Sequence, residues 1–231
     1  MTIPSSYSHR IIQIYGDSGK LWLESLHGTI GLCEDLWKLK VADPYNLSYN
    51  YVVATSGKSA VVKVCMPGDG FKSELNTLIH YDGDGMCRLI DYIEDKGVLL
   101  LEMLQPGVNL KGLDENTAIQ AISSVIGKMR KLTCKIGQAF PNVSDQQSAL
   151  LKLANYLPHH VKPIDRQIAL QGHAIFKTLI ATQNEVYLLH GDLHQENILS
   201  HGHDWKTIDP KGIIGEVEYE LIPFIINSIP T

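Results

Sequence analysis

The chain has 231 residues, of which 44% are hydrophobic and 19% charged, and its formal net charge is −5. That length is sufficient for one large domain or two small lobes with hydrophobic cores, and the lack of a basic excess argues against a nucleic-acid partner. The apolar runs are shorter than the ~20 residues that span a bilayer, and segment 1–10 is too polar for a signal peptide. We therefore expect a cytoplasmic protein with no membrane partner.

The first half of the chain is predicted to be rich in β-strands. Apolar residues recur at roughly helical spacing over 21–37, which predicts a helix there. Segments 48–55 and 59–66, rich in Val and Tyr, flank a tight-turn signal at 56–58 and predict a β-hairpin. Three further elements are expected in this half, namely a helix over 70–81 and strands over 87–93 and 97–103.

After Pro106 and Gly107 the pattern becomes helical. Asp114 is a suitable N-cap, and apolar residues repeat at spacings of three and four from Ala118 to Leu132, which predicts an amphipathic helix. Further helices are expected over 149–156 and 164–180, and short strands over 186–189 and 205–208. Strands followed by helices predict the α+β class, with a strand-rich N-terminal lobe at 1–104 and a helical lobe at 105–231.

The strongest chemical signal is segment 190–199, HGDLHQENIL, followed by IDPKG at 208–212. Phosphoryl transfer needs an acceptor hydroxyl that is held and deprotonated, and a divalent metal that bridges the phosphates. Asp192 is placed to orient and deprotonate the hydroxyl, and the oxygens of Asn197 and Asp209 are the hard ligands that Mg²⁺ takes. The Asp-x4-Asn spacing is that of the kinase catalytic loop.

These two motifs resemble the aminoglycoside phosphotransferase superfamily, and within it the branch of streptomycin 6-kinases and hydroxyurea-resistance kinases. The resemblance covers roughly residues 37–221. It implies a protein-kinase-like fold of two lobes, with ATP and Mg²⁺ as cofactors. It also implies transfer of the γ-phosphate to a hydroxyl of a small molecule, of which an aminoglycoside of the streptomycin type is the leading candidate.

The resemblance assigns further residues to the nucleotide site. Lys63 matches the lysine that holds the α- and β-phosphates of ATP, and Glu74 falls where the family has the acid that pairs with it. Segment 46–51 stands where other kinases have a GxGxxG loop, and Ser48 is the candidate phosphate clamp within it. The family's hinge, whose backbone binds adenine, corresponds here to Glu102, Met103 and Leu104.

Simpler interpretations of these residues stay open. Lys63 would then be a lysine extended along an apolar strand, and Glu74 a solvated residue on a helix. Asp192 would be a helix cap, and Asn197 a loop amide. Zinc binding is disfavoured because the spacing of the crowded histidines is unusual for zinc ligands; these are His190, His194, His201 and His203. Three glutamates are expected at the acidic start of a helix, with attraction of a cationic substrate as the alternative; these are Glu216, Glu218 and Glu220.

The chain ends at Thr231, whereas the resembling family continues for several helices that close the substrate cleft. We therefore expect a short and less active kinase, with an apolar run at 221–226 through which it self-associates. Two alternatives to an antibiotic kinase remain. One is a nucleotide-binding relic with little or no turnover, and the other is a kinase for another small hydroxylated metabolite, such as a sugar, choline or an amino alcohol.

Overall fold

The computed structural model describes residues 3–45, 47–130, 140–156 and 166–227. Outside this part of the chain lie Asn46 of segment 46–51, Leu132 of one predicted helix and residues 164–165 of another. The helices are α1 (Ser5–Trp37), α2 (Asp69–Tyr81), α3 (Glu115–Met129), α4 (Ser144–Tyr156), α5 (Arg166–Ala181) and α6 (Leu221–Ile226). The strands are β1 (Val41–Pro44), β2 (Tyr51–Thr55), β3 (Ala60–Val64), β4 (Leu89–Ile93), β5 (Val98–Glu102), β6 (Pro106–Asn109), β7 (Tyr187–Leu189), β8 (Ile198–His201), β9 (Asp204–Thr207) and β10 (Ile213–Gly215).

The N-terminal part is built on an antiparallel five-stranded sheet in the order β1-β2-β3-β5-β4. The predicted hairpin is confirmed as β2 and β3, in which Val52 lies opposite Lys63. The predicted strands over 87–93 and 97–103 are confirmed as β4 and β5. Strand β5 reads VLLLE and lies between β3 and β4. It is buried on both faces, because Val98 and Leu100 pack in the cluster that includes α1, and Leu99 and Leu101 pack in the cluster that includes α2.

Helix α1 covers one face of this sheet and is longer than the sequence indicated. The prediction placed its start at residue 21, whereas the helix begins at Ser5 and bends at Gly16, whose φ of 58° and ψ of −135° are not helical. Glycine adopts such a conformation without steric cost. Trp22, Leu26 and other buried residues of α1 pack against the sheet residues Tyr51, Val53, Val62, Val64, Val98 and Leu100.

The opposite face of the sheet turns toward the rest of the molecule. Because side chains alternate along a strand, Lys63 lies on the face opposite Val62 and Val64. Helix α2, predicted over 70–81 and found one residue longer, packs there. Its buried side chains join one core cluster with residues of the C-terminal part, including Leu110, Ile122, Val125, Leu188, Leu193 and Ile198.

The C-terminal part combines helices with short strands. Asp114 caps α3, as predicted, since its side chain accepts a hydrogen bond from the amide of Thr117. Strands β6, β8 and β9 form one small sheet, and β7 pairs with β10. The sequence did not indicate β1, β6, β8 or β10, each of only three or four residues.

The succession of strands and then helices confirms the α+β class. The boundary at 104/105 stays a prediction, although β6 follows it and pairs with β8 rather than with the five-stranded sheet. In α6 several apolar side chains are exposed, among them Ile225 and Ile226, and self-association through 221–226 stays a prediction. Among the described residues, no helix is both long and apolar enough to cross a membrane.

Candidate active site

The predicted catalytic loop leaves β7 and enters β8 through a single 3-10 turn at Gln195–Asn197. His190, at its start, is completely buried. Burial lowers the pKa of His190 to about 4, so the ring is neutral near pH 7. Its Nδ1 accepts a hydrogen bond from the amide of Asp192 at 3.2 Å, and its Nε2 donates to the carbonyl of Ile208 at 2.8 Å. The ring therefore ties the backbone of Asp192 to the segment that carries Asp209.

The proposed metal ligands lie at one end of the β8–β9 hairpin. Ile208 donates its amide hydrogen to the carbonyl of Asn197 at 3.0 Å, so that Asn197 is paired with the residue that precedes Asp209. The Asn197 side-chain amide donates to the carbonyl of Asp192 at 2.9 Å, and this orientation leaves its oxygen for another partner. Asp209 has a φ of 60°, a left-handed conformation that is uncommon outside glycine and frequent at functional sites.

Five charged side chains of alternating sign form a row, which we call the charge row: Glu74, Lys63, Asp209, Lys211 and Asp192. Lys63 Nζ lies 2.5 Å from Glu74 Oε1 and also contacts Asp209 Oδ1. Lys211 Nζ lies 3.1 Å from Asp209 Oδ2 and 3.8 Å from Asp192 Oδ2. The structure thus brings together Lys63, Glu74, Asp209 and Asp192, which are separated widely in sequence.

The pKa values of the charge row follow from burial and pairing. Burial opposes the charge on Lys63, but the carboxylates of Glu74 and Asp209 outweigh it and raise the pKa of Lys63 above its ordinary value. Burial likewise opposes ionisation of Asp209, yet Lys63 and Lys211 lower the pKa of that carboxyl to about 2. Lys63 and Asp209 are therefore both charged at neutral pH.

The catalytic loop rests on Glu220, a contact that the sequence did not reveal. Glu220 lies in a 3-10 turn, Val217–Glu220, at the acidic helix start that the sequence predicts, but it is only 1% exposed. Its carboxylate accepts hydrogen bonds from the amides of His190 and, at 3.2 Å, Gly191. Glu216 instead accepts a hydrogen bond from the Asn184 amide. The apolar run that begins at residue 221 was the only local sign that this segment approaches the core.

The segment after Asp209 fits closely against α2. Gly212 has a φ of 66°, and a Cβ at this position would lie 2.2 Å from Thr77 Oγ1 and 2.8 Å from Ser73 Oγ. Ser73 donates a hydrogen bond to the carbonyl of Gly212 at 2.9 Å. Glycine is therefore required both for the backbone conformation and for the close approach to the helix.

The predicted hinge residues follow the end of β5. The side chain of Glu102 binds the β8–β9 hairpin through Lys206 Nζ at 2.7 Å and His201 Nε2 at 3.4 Å. Within the described part of the chain, no backbone hydrogen bond engages Met103 or Leu104. Free backbone groups at this point suit the predicted binding of adenine, which stays a prediction for all three residues.

Ser48 lies exposed in the bend that precedes β2, and its role as phosphate clamp stays a prediction. Among the described residues, no group of three or more His, Cys, Asp or Glu side chains could hold a metal ion. Metal binding by Asn197 and Asp209 stays a prediction; in magnesium sites of this kind, phosphate oxygens and water supply most of the ligands. The amide and carboxylate oxygens of the two residues fit Mg²⁺, which usually binds to one or two protein groups together with phosphates.

The amino-acid sequence over residues 40–231 matches the model of a protein family described as aminoglycoside/hydroxyurea antibiotic resistance kinase. The chain belongs to this family. It is 28% identical to hydroxyurea phosphotransferase of Kitasatospora aureofaciens, over 98% of this chain and 68% of that protein. It is 27% identical to streptomycin 6-kinase of Streptomyces griseus, over 96% of this chain and 73% of that protein.

Among solved structures, the chain is similar to a choline/ethanolamine kinase family protein from Mesorhizobium loti. The TM-score is 0.63 at 10% sequence identity, and the match covers 80% of this chain and 63% of the other. The family membership and the protein-kinase-like fold expected from the two motifs are thus confirmed. The chain spans about two thirds of the length of these relatives.

Proposed function

We propose that this antibiotic resistance kinase family member transfers the γ-phosphate of ATP to a hydroxyl group of an aminoglycoside-like small molecule. The observation that carries the proposal is the charge row, which links the small-lobe lysine Lys63 to Asp192 through Asp209 and Lys211. Positioning and charge stabilisation account for most of the catalysis of phosphoryl transfer, and the charge row supplies both. Because ATP is the donor, we further propose that the reaction takes place in the cytoplasm.

In this proposal Asp192 is the general base. Its carboxylate orients the acceptor hydroxyl and takes its proton while the hydroxyl oxygen bonds to the γ-phosphorus and the bond to the β-phosphate oxygen breaks. The neutral ring of His190 fixes the Asp192 backbone. Glu220 fixes the backbone of His190 and Gly191, the two residues before Asp192. Such preorganisation matters because a base must lie within hydrogen-bond reach of the proton that it takes.

Asn197 and Asp209 would hold Mg²⁺, and Lys63, oriented by Glu74, would bind the α- and β-phosphates. The ion supplies charge neutralisation to the phosphates when it is bound. The direct contact between Lys63 and Asp209 supports this assignment, because it places the proposed phosphate-binding cation beside the proposed metal ligand.

The acceptor is proposed to bind in a cavity of about 870 Å³ beside the catalytic loop. His194 lines this cavity, and its Nε2 lies 4.0 Å from Asp192 Oδ1. Apolar and charged side chains share the wall, among them Ile119, Phe224 and Glu115. The volume lies within the range of pockets for drug-sized ligands, about 300–1,000 Å³.

The first test compares the wild-type chain with Asp192→Asn. We measure ADP release with Mg²⁺, ATP and a panel of acceptors that includes streptomycin, hydroxyurea, choline and simple sugars. We expect turnover with an aminoglycoside and a loss of about 10²- to 10⁴-fold in the variant, the usual contribution of a general base. ATP affinity, measured by calorimetry, should stay unchanged.

Asp17→Asn is the matched control, since Asp17 is an exposed carboxylate on α1. It should leave turnover unchanged. Near wild-type turnover in Asp192→Asn would remove Asp192 from the role of base. ATP binding by the wild type without consumption of any acceptor would instead favour the nucleotide-binding relic.

A further inference from the structure

Lys211 occupies a position in the charge row to which neither motif assigns a role. Its Nζ lies 3.1 Å from Asp209 Oδ2 and 3.8 Å from Asp192 Oδ2. Among the described residues, it is the only lysine or arginine within ion-pair distance of Asp192. A single ammonium group therefore lies between the proposed base and the proposed metal ligand.

The backbone of Lys211 is held firmly while its head group remains accessible. Its amide donates a hydrogen bond to the carbonyl of His190 at 2.7 Å, and the adjacent Gly212 is fitted against α2. The side chain of Lys211 is 53% exposed, whereas that of Lys63 is 6% exposed. Lys63 is thus enclosed between its acids, and Lys211 faces the open end of the row.

The position of Lys211 has a direct chemical meaning if the chain is a kinase. The transferred phosphoryl group must pass between the hydroxyl at Asp192 and the phosphates at the metal site. A cation within 4 Å of both carboxylates therefore lies beside that path. The negative charge that spreads over the transferred oxygens needs such a partner. The segment Asp192–Asn197 contains no lysine or arginine of its own.

We infer that Lys211 is a catalytic residue that binds the γ-phosphoryl group of ATP and stabilises its charge during transfer, while Lys63 binds the α- and β-phosphates. This inference rests on the proposed function. In the free protein Lys211 neutralises Asp192 and Asp209. When nucleotide binds, its ammonium group exchanges these contacts for the terminal phosphate.

ADP lacks the γ-phosphoryl group, and this difference gives the test a readout other than turnover. Calorimetry with Mg²⁺ measures the affinities of ATP and ADP for the wild type, Lys211→Met and Lys211→Arg. We expect Lys211→Met to lower ATP affinity by about 10- to 100-fold, the usual effect of losing one charge-assisted hydrogen bond. ADP affinity should change little, and Lys211→Arg should keep most of the preference for ATP.

Turnover in Lys211→Met should fall mainly in kcat, by about 10²- to 10³-fold, because the lost interaction strengthens in the transition state. Lys177→Met, a change at an exposed lysine on α5, should alter neither nucleotide affinity nor turnover. An equal effect of Lys211→Met on ATP and ADP would overturn the inference and leave the proposed function standing. Failure of the wild type to bind either nucleotide would overturn both.

Discussion

Lys63 shows how a buried charge can both stabilise the fold and serve a site. Removing an ammonium group from water is expensive unless it is paired, and Lys63 is paired on two sides, by Glu74 of α2 and by Asp209 after β9. One side chain of β3 thereby connects the sheet, helix α2 and the segment that carries Asp209. The simpler interpretation of Lys63, a lysine that only extends along an apolar strand, therefore does not describe this residue, because its ammonium group is buried and paired.

Lys63→Met is expected to destabilise the protein, because it leaves the Glu74 carboxylate buried without its cation. Loss of one partner of a buried pair lowers the free energy of unfolding by about 3–5 kcal/mol. Adding Glu74→Leu should recover most of that loss, since apolar replacements of both partners are often neutral. Urea unfolding of both variants measures the difference, and equal stability of the single and double variants would contradict this account.

At the scale of elements, the segment that carries Asp209 makes a close contact with α2. Gly212→Ala would place a Cβ 2.2 Å from Thr77 Oγ1 in a backbone with a φ of 66°. Gly202→Ala is the matched control, because Gly202 has a φ of 60° and no atom within 4 Å of a Cβ. The control isolates the backbone strain, about 1–2 kcal/mol.

Gly212→Ala should lower the free energy of unfolding by about 1–3 kcal/mol more than Gly202→Ala does, the usual effect of overpacking. Thermal and urea unfolding of the two variants provide the comparison. Equal destabilisation would show that α2 and the segment move apart easily. Weaker ATP binding in Gly212→Ala alone is also expected, because the displaced segment carries Asp209 and Lys211.

The sequence predicted the parts of the site that short-range pattern encodes. Asp192, Asn197 and Asp209 stand in two compact motifs, and the resemblance to the family assigned Lys63 and Glu74, which lie on a strand and a helix that the sequence pattern predicts. Strands β6 and β10 were missed because three or four residues do not establish an alternation, and they form through pairing with distant strands. Glu220 was missed because only the tertiary fold brings it to the amides of His190 and Gly191. The contact of Lys211 with Asp192 arises in the same way.

In the molecule as a whole, one core cluster connects the strand-rich and helical parts. Helix α2 belongs to the first part by sequence, but Leu75 and Leu78 pack in the same cluster as Leu188 and Ile198. Beneath the catalytic loop this cluster gives way to buried polar groups, His190 and Glu220. The stability of the whole chain therefore depends on the protonation of groups that are required for the geometry of the site.

His190 and Glu220 change the stability with pH in opposite directions. The pKa of His190 is lowered by burial from 6.5 to about 4, so the unfolded chain takes up a proton first and stability is lost as the pH falls from 6.5 to 4. Burial raises the pKa of Glu220 from 4.5 to about 7, with Asp192 nearby adding to the shift. The unfolded chain then releases a proton first, and stability is lost as the pH rises from 4.5 to 7.

Glu220→Gln should separate these two effects, because glutamine keeps a carbonyl oxygen for the amides of His190 and Gly191 but does not titrate. The free energy of unfolding of the wild type relative to the variant should fall by about 3 kcal/mol between pH 4.5 and 7, as the linkage of the raised pKa requires. In the variant, the free energy of unfolding should rise as the pH rises from 4 to 6.5, because His190 still titrates there and the glutamine at position 220 does not. Urea unfolding at half-unit pH intervals tests both statements. If the stability of the wild type relative to the variant does not vary with pH, Glu220 titrates normally. If the wild type instead gains stability relative to the variant as the pH rises, the hydrogen bonds of the Glu220 carboxylate to the loop outweigh its burial.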